Sequence, residues 1–313
     1  MTRKIIFDTD PGVDDAAALL LAHRHPALDL IGVTTIFGNA DIDDVTRNAL
    51  WLREVFGFDA PVARGAALSL SGDAGPYPEF IHGVDGLGGL APASVSEEPD
   101  PRPAHVLISD LARKAGGDVT IVAVGRLTNL ALALMHDEKL PNYIRDVIIM
   151  GGAFGGGNGN VTPAAEANII GDPVAADIVF GANWTVHAVG LDVTRQVMMT
   201  EEMFAGVKSG DTAAKLVRDA SKLYSRYHDR FGIDGFYVHD SSAVACAISP
   251  ELFTFREGPV RVVREGIARG QTILRDVDTF YPPGAWDNRP SHKVAFEVDA
   301  KGVLNLLESA LQQ

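Results

Sequence analysis

The chain has 313 residues, of which 46% are hydrophobic and 22% charged, enough for one large α/β domain or two small ones. Its formal net charge of −14 argues against nucleic acid and anionic membranes as partners, since both need basic surface, and suits a small neutral substrate better. No apolar run approaches the ~20 residues of a membrane span.

The N-terminus lacks a signal-peptide pattern, because Asp8 and Asp10 interrupt the first apolar run. The single cysteine, Cys246, cannot form an internal disulfide, and its apolar surroundings are typical of a buried helix residue. We therefore expect a cytoplasmic protein.

Strand-like and helix-like segments alternate through the first 190 residues. The predicted strands span residues 4–7, 29–38, 61–65, 118–125, 145–152 and 184–190. Helices separate most of them, which predicts an α/β fold with a mainly parallel, doubly wound sheet and helices on both faces. In such sheets, ligands bind at the carboxyl ends of the strands, where the strand order reverses.

The pattern changes after residue 200. Residues 200–232 look helical, another helix follows through Cys246, and a hairpin is predicted to turn near Gly266–Gly270. The chain closes with a strand and a helix. No linker demands a second domain, so residues 1–313 are predicted to form one domain with additional C-terminal helices and a β-hairpin.

The densest charge pattern lies between the first strand and the first helix. Four carboxylates surround a Pro-Gly turn there: Asp8, Asp10, Asp14 and Asp15. A helix cap would explain one of them and leave three. A bound divalent cation is the simplest way to offset their repulsion, and oxygen-only ligands favour calcium or magnesium.

Two later stretches carry polar side chains suited to a site. Asn160, Glu166 and Asn168 lie on a glycine-rich loop entering a helix, where they could bind sugar hydroxyls or belong to a solvated turn. In YVHDSSAV, Asp240 could cap a helix, and His239 beside it could be a core histidine.

The string DTDPGVDDAAAL resembles the N-terminal signature of the calcium-dependent nucleoside hydrolases, the inosine–uridine-preferring family. The resemblance implies hydrolysis of the N-glycosidic bond of ribonucleosides to ribose and free base by a calcium-bound water. The implied calcium ligands are Asp10, Asp15, Asp240 and the main-chain carbonyl of Val124. Asp10 would accept the proton of the water, and His239 would protonate the departing base, a role that suits an unperturbed pKa near ~6.5.

The resemblance also implies a set of substrate-binding residues: Asp14, Asn39, His82, Asn160, Glu166 and Asn168. Asp14 and Asn168 would hold ribose hydroxyls, Asn160 and Glu166 would face the 5′ side, and His82 would lie near the base. The two histidines, His82 and His239, favour an inosine–uridine or pyrimidine preference. The family tends to form homodimers or homotetramers.

Some positions leave alternatives or depart from the family pattern. Arg126 stands where the family commonly has Pro, and Ala167 where it often has an aromatic residue. Aromatic residues before YVHD could line a base pocket or belong to the core: Tyr224, Tyr227, His228 and Phe231.

Two other functions fit part of the pattern. FDTDPG superficially matches the DxD motif of a haloacid-dehalogenase-type phosphatase, although no suitable later lysine or separate acidic pair follows. A non-catalytic, calcium-dependent nucleoside- or sugar-binding protein would use the same pocket without the chemistry of His239.

Overall fold

The strands of the main sheet are largely apolar, as expected where helices cover both faces. The computed structural model describes residues 2–155 and 158–313. The strands are β1 Arg3–Thr9, β2 Leu28–Thr35, β3 Val62–Ala63, β4 Val119–Ala123, β5 Asp146–Met150, β6 Val186–Val189, β7 Met198–Met199, β8 Phe236–Tyr237, β9 Phe253–Gly258, β10 Val260–Val262, β11 Thr272–Leu274 and β12 His292–Val298.

The helices cover the sheet and its carboxyl edge. They are α1 Val13–Arg24, α2 Ile42–Phe56, α3 Glu79–His82, α4 Ala104–Ala115, α5 Thr128–His136, α6 Ala167–Gly171, α7 Pro173–Val179, α8 Leu191–Thr194, α9 Thr212–Asp229, α10 His239–Ile248 and α11 Ala300–Leu311. Single 3₁₀ turns span Leu140–Tyr143, Glu201–Phe204 and Pro250–Leu252. No helix in the described ranges is long and apolar enough to cross a membrane.

The topology confirms the predicted mainly parallel, doubly wound sheet. In the described part of the chain, eight strands pair in the order β3-β2-β1-β4-β5-β6-β12-β9. Neighbours run parallel except β12 and β9, which pair antiparallel. The strand order reverses between β1 and β4, so a ligand crevice is expected at the carboxyl ends of these two strands.

Side chains of β1 alternate between two cores. Ile5 and Phe7 pack in a core with α1, α9, α10 and α11, whereas Ile6 packs on the opposite face with α4, α5 and α7. The same alternation sends the last two side chains of β1, Asp8 and Thr9, to opposite faces of the sheet.

Local signals explain several helix boundaries. The side chain of Asp41 accepts hydrogen bonds from the backbone N–H groups of Asp43 and Asp44 and thereby caps α2. Gly57, with a φ of 77°, ends the same helix in the left-handed conformation that glycine adopts without strain. Cys246 lies buried in α10, as predicted.

The later part of the chain differs from the prediction in detail. The predicted strand at 29–38 ends at Thr35, and the residues after it turn into the crevice. The region predicted as helical at 200–232 contains a short 3₁₀ turn before α9 begins at Thr212. The hairpin is confirmed as the antiparallel pair β10–β11. A second small pair, β7–β8, joins segments on either side of α9.

Candidate active site and metal centre

Three elements bring the predicted acidic residues to one end of the sheet. Asp10 follows β1, Asp14 and Asp15 lie in the first turn of α1, and Asp240 lies in the first turn of α10. The two helices pack against each other. Their N-termini, which carry positive partial charge, therefore contribute to the same acidic region.

A compact set of carboxylates forms where α1 meets α10. Asp14, Asp15 and Asp240 each present an oxygen, and these oxygens lie within 4.8 Å of one another. Two oxygens bound to one calcium ion at 2.3–2.6 Å are at most about 5.2 Å apart, so the spacing suits a hard cation. All three side chains are buried. Asp10, which the sequence analysis placed among the ligands, is not part of this compact set.

Asn39 joins Asp10 to the acidic cluster. Its backbone N–H donates to Asp10 Oδ2 at 2.8 Å, and its Nδ2 donates to Asp15 Oδ2 at 2.9 Å and to the Asp10 carbonyl at 3.0 Å. Backbone also closes around the Asp10 carboxylate, since a Cβ added at Gly38 or Gly125 would lie 1.9 Å or 2.7 Å from its oxygens. Glycine is required at both positions by this close approach.

Asp15 is oriented by further donors. Thr9 Oγ1 donates to Asp15 Oδ1 at 2.6 Å, and the backbone N–H of Gly12 donates to Oδ2 at 3.0 Å. A carboxylate with three donors has its direction set before any ligand binds. Sequence reasoning did not single out Thr9.

Burial makes these carboxylates expensive to ionise. It raises the pKa of Asp14 to about 8 and that of Asp15 to about 6, and it raises the pKa values of Asp10 and Asp240 well above the usual range. For Asp10, Asp14 and Asp240, the negative charges of neighbouring aspartates add to the effect. A cation would supply the missing positive charge, so the residues present fit a divalent metal.

Val124, whose carbonyl is a predicted metal ligand, directly follows β4, the strand that pairs with β1. Asn168 Nδ2 donates to this carbonyl at 2.8 Å and to the Met150 carbonyl at 3.1 Å. A carbonyl has two lone pairs, so one stays open to a further partner. The Asn168 amide nitrogen is thus engaged with backbone, which leaves the amide oxygen as the group that could accept from a sugar hydroxyl.

The structure ties Glu166 and Asn160 to the local backbone. Glu166, 1% exposed, caps α6 by accepting from the N–H groups of Asn168 and Ile169, and it also accepts from Gly152 N–H at 3.1 Å. Asn160 is exposed, and its Oδ1 accepts from the N–H of Ala167 at 2.9 Å. Both side chains shape the loop that carries Asn168.

His82 lies behind the Pro-Gly turn. Its Nδ1 accepts a hydrogen bond from the Val13 N–H at 3.3 Å, and its ring centroid lies 5.7 Å from that of Tyr224. Burial lowers the pKa of His82 to about 4, so the ring is neutral at pH 7. In this position it supports the loop between Asp10 and Asp14.

His239 lies at the start of α10, beside Asp240. Its Nδ1 is 2.7 Å from Thr194 Oγ1. Burial lowers the pKa of His239 to about 3, because the imidazolium is poorly solvated there. The ordinary pKa assumed from sequence therefore does not hold, and the group offers the N–H of a neutral imidazole at pH 7.

The aromatic residues of α9 and of the turn that follows it divide into two groups. Tyr224 and His228 are buried, with ring centroids 4.7 Å apart, and Tyr224 extends the contact to His82. Tyr227 packs against Phe80 at 5.6 Å, and Phe231 is 65% exposed. The first group belongs to the wall of the acidic region, whereas the second lies nearer the surface.

Arg126, the first departure from the family pattern, packs beside the site. Its guanidinium lies 4.2 Å from the ring centroid of Phe37 and donates to the Ala74 carbonyl. It anchors the loop containing Ala74, and the Val124 carbonyl keeps its contact with Asn168. Ala167, the second departure, begins α6.

Asp8 belongs to a different network from the other aspartates. It lies on the opposite face of the sheet, where it accepts from Thr34 Oγ1 and from Asn129 Nδ2. Burial raises its pKa to about 7. The alternation of side chains along β1 could have predicted this separation, but nothing local in the sequence indicates Asn129.

The chain is similar to known proteins over nearly its whole length. A family model described as inosine-uridine preferring nucleoside hydrolase matches residues 5–305. Uridine nucleosidase 1 of Arabidopsis thaliana is 38% identical over 316 residues, which cover 99% of this chain and 94% of that protein. Non-specific ribonucleoside hydrolase RihC of Escherichia coli O7:K1 (strain IAI39 / ExPEC) is 37% identical over 302 residues, which cover 96% of each.

Solved structures agree with the sequence relatives. The plant nucleoside hydrolase PpNRh1 matches with a TM-score of 0.95 at 39% identity, covering 100% of this chain and 99% of that one. A purine-preferring ribonucleoside hydrolase from Gardnerella vaginalis matches with a TM-score of 0.89 at 32% identity, covering 99% and 98%. The chain therefore belongs to the inosine–uridine-preferring nucleoside hydrolase family.

Proposed function

We propose that this nucleoside hydrolase cleaves the N-glycosidic bond of ribonucleosides to give ribose and a free purine or pyrimidine base. The observation that carries the proposal is the buried set of Asp14, Asp15 and Asp240, which lies beside His239 in a chain of this family. A phosphatase is no longer a competing function, because the family model spans residues 5–305.

The metal proposed for the site is calcium. Oxygen donors from Asp10, Asp15, Asp240 and the Val124 carbonyl would hold it, with Asp14 immediately beside them. Carboxylates and carbonyls are the ligands that calcium prefers, and a sulfur or imidazole donor is not needed. When bound, calcium would lower the pKa of a coordinated water and neutralise the repulsion among the aspartates.

Asp10 is the proposed general base. Glycines enclose its carboxylate, and the Asn39 N–H fixes one oxygen, so its orientation toward an incoming water is set in advance. A buried carboxylate with a raised pKa is also a stronger base once it is ionised. Its role is to accept the proton of the water that attacks the anomeric carbon.

His239 is proposed to assist departure of the base. Cleavage through an oxocarbenium-like sugar places negative charge on the leaving base, which a nearby donor stabilises. Because burial keeps its pKa low, the neutral ring would donate an N–H to the base. Thr194 makes a hydrogen bond with His239, and Asp240 directly follows His239 in α10.

Substrate binding is assigned to the remaining predicted residues. Asp14 and the Asn168 amide oxygen would bind ribose hydroxyls, and Asn39 would order the edge of that pocket. We assign Asn160 and Glu166 to the 5′ side, with their capping contacts keeping the loop in place. His82 would contribute to the base side through its contact with Tyr224.

Base preference is proposed to include both uridine and inosine. Two relatives above 35% identity are named as a uridine nucleosidase and as a non-specific ribonucleoside hydrolase, which supports a broad preference. His82 and His239 each lie near the acidic cluster, where an N–H donor could form a hydrogen bond with a purine or a pyrimidine base.

The test is a panel of inosine, uridine, cytidine and adenosine, with release of reducing sugar measured with and without a chelator. We expect release from inosine and uridine, loss of release with the chelator, and recovery with added calcium. Binding of nucleoside without release of base would instead identify a non-catalytic binding protein. Full turnover after complete metal removal would contradict the calcium assignment.

Three further properties complete the proposal. We propose a homodimer or homotetramer, which sedimentation would measure, and a cytoplasmic location, which fractionation of the native cells would measure. The domain assignment is residues 1–313 as one unit, and a single cooperative unfolding transition is expected. Two separated transitions would contradict it.

A further inference from the structure

Thr194 reaches His239 from a distant part of the chain. It is the last residue of α8, the short helix that follows β6, and its side chain is fully buried. Its Oγ1 lies 2.7 Å from His239 Nδ1, although the two residues are 45 positions apart. The contact is therefore made by the tertiary fold.

The hydrogen of this bond can be assigned from the donors and acceptors present. Within residues 2–155 and 158–313, the Thr194 hydroxyl makes no other hydrogen bond. If Nδ1–H donated to the hydroxyl, the buried threonine proton would have no acceptor, at a cost of about 1–3 kcal/mol. If the hydroxyl donates to Nδ1, both groups are satisfied. The second arrangement is favoured, and it leaves the ring hydrogen on Nε2.

The backbone keeps the two residues in register. Just after Thr194, the β7 strand pairs with β8, which precedes His239, with Met198 opposite Tyr237. The Val238 N–H also donates to the Val197 carbonyl at 3.1 Å. The ring centroids of Tyr237 and His239 lie 5.7 Å apart, with the ring planes tilted by 45°. Backbone pairing thus joins segments 194–199 and 236–239 beside the contact between Thr194 and His239.

We propose that Thr194 is a positioning residue that fixes His239 in its Nε2–H tautomer, with the N–H directed away from Thr194 toward the leaving base. This inference rests on the proposed function, specifically on the role of His239. Thr194 does not touch the substrate in this account. It acts by setting which nitrogen of the imidazole carries the hydrogen and how the ring is turned.

The kinetic test compares Thr194→Val, Thr194→Ser and His239→Ala on uridine, inosine and p-nitrophenyl riboside. The p-nitrophenolate group departs without a proton, so its release does not depend on His239. We expect Thr194→Val to lower kcat on both nucleosides about 10–100-fold, with KM changed less than about 3-fold. Thr194→Ser keeps the hydroxyl and should stay within about 5-fold of the wild type. On p-nitrophenyl riboside, all three variants should remain within about 5-fold.

A double-mutant cycle adds a second criterion. Thr194→Val combined with His239→Ala should be no slower on uridine than His239→Ala alone, because the hydroxyl acts only through the ring. Additive losses would overturn the inference. Equal losses of Thr194→Val on nucleosides and on p-nitrophenyl riboside would do the same, since they would indicate a general structural defect.

A spectroscopic readout separates this inference from the proposed function. Imidazole nitrogen shifts of His239, assigned by their loss in His239→Ala, should indicate Nε2–H in the wild type and a mixed tautomer in Thr194→Val. An Nδ1–H ring in the wild type would overturn the inference whether or not the enzyme turns over nucleosides. If His239→Ala lowers activity on nucleosides but not on p-nitrophenyl riboside, and Thr194→Val changes neither, this inference is overturned and the proposed function stands. If His239→Ala itself is not selective, the assigned role of His239 fails instead.

Discussion

Two sites with buried aspartates in this molecule differ in how their negative charge is compensated. At the sheet edge, Asp14, Asp15 and Asp240 lie together, with pKa values raised by burial. Behind the β10–β11 hairpin, a single carboxylate, Asp177, receives hydrogen bonds from three guanidinium groups: those of Arg261, Arg264 and Arg289. Burial acts to raise the pKa of Asp177, but the bonds from Arg261 and Arg264 outweigh it and hold the pKa at about 2.

The contrast distinguishes a structural charge from a functional one. Guanidinium groups of the chain itself balance the charge of Asp177, so this residue holds the hairpin to α7 without a bound cation. Burial and mutual repulsion oppose ionisation of the carboxylates of Asp14, Asp15 and Asp240, which lowers the stability of the ligand-free fold and favours an external cation. We infer that an unpaired buried cluster marks the site more reliably than the number of aspartates does.

The largest effect is expected from loss of the proposed base. Asp10→Ala should reduce hydrolysis of inosine more than about 10³-fold, since both a metal contact and the proton acceptor are removed. Steady-state kinetics in saturating calcium would measure this loss. Asp10→Asn should be nearly as slow, because an amide cannot accept the proton. Asp43→Ala is the control, since that side chain is 80% exposed. Retention of a tenth of the activity by Asp10→Asn would contradict the assignment.

Loss of the Asp177 carboxylate should affect the stability of the fold. Asp177→Asn leaves three guanidinium groups without their carboxylate and should lower the free energy of unfolding by about 3–5 kcal/mol. Urea denaturation would measure this difference. The matched control is Asp118→Asn, whose partner Arg145 and own side chain are both 50% exposed, and a change below about 1 kcal/mol is expected there. Equal effects of the two variants would remove the distinction between the regions.

Binding of calcium to the acidic cluster should stabilise the folded protein. At a concentration 100 times its Kd, calcium should raise the free energy of unfolding by about 2.7 kcal/mol, provided that it binds only the folded state. Thermal unfolding of chelated and calcium-loaded protein would measure the shift. Asp240→Asn should reduce the shift, since it removes one of the three clustered carboxylates. A shift of the same size in that variant would place the ion elsewhere.

Acid should weaken the Asp177 cluster in a defined range. The pKa of Asp177 is lowered from its ordinary value of 3.8 to about 2, so its ionised form stabilises the fold. That contribution is fully present above about pH 4 and is lost as the pH falls toward 2. The difference amounts to about 2 kcal/mol. Unfolding measured from pH 5 to pH 2.5 should show this slope in the wild type and a smaller one in Asp177→Asn.

The smallest effect is expected from replacing a single carboxylate of the acidic cluster. Asp14→Asn should stabilise the chelated protein by about 1 kcal/mol, because burial and the charge of Asp15 disfavour the ionised carboxylate and an amide has no ionised form. Thermal unfolding in chelator would detect the rise in Tm. The same variant should lose activity, since Asp14 is assigned to the ribose hydroxyls. A fall in Tm would show that Asp14 is already compensated within the fold.

Much of the fold and part of the site follow from local sequence patterns. Runs of buried strand residues, the helix cap at Asp41 and the alternation of elements predict the doubly wound sheet, because each depends on neighbours along the chain. The acidic string after β1 likewise predicts a cation site, since its charges are crowded in any conformation.

Only the tertiary structure decided which groups meet. It joined Asp14 and Asp15 to Asp240 and left Asp10 outside that compact set, it sent Asp8 to the other face of the sheet, and it brought Thr194 to His239. The reason is physical: hydrophobic periodicity is set by residues a few positions apart, whereas hydrogen bonds and charge clusters across more than forty residues depend on how strands and helices are stacked.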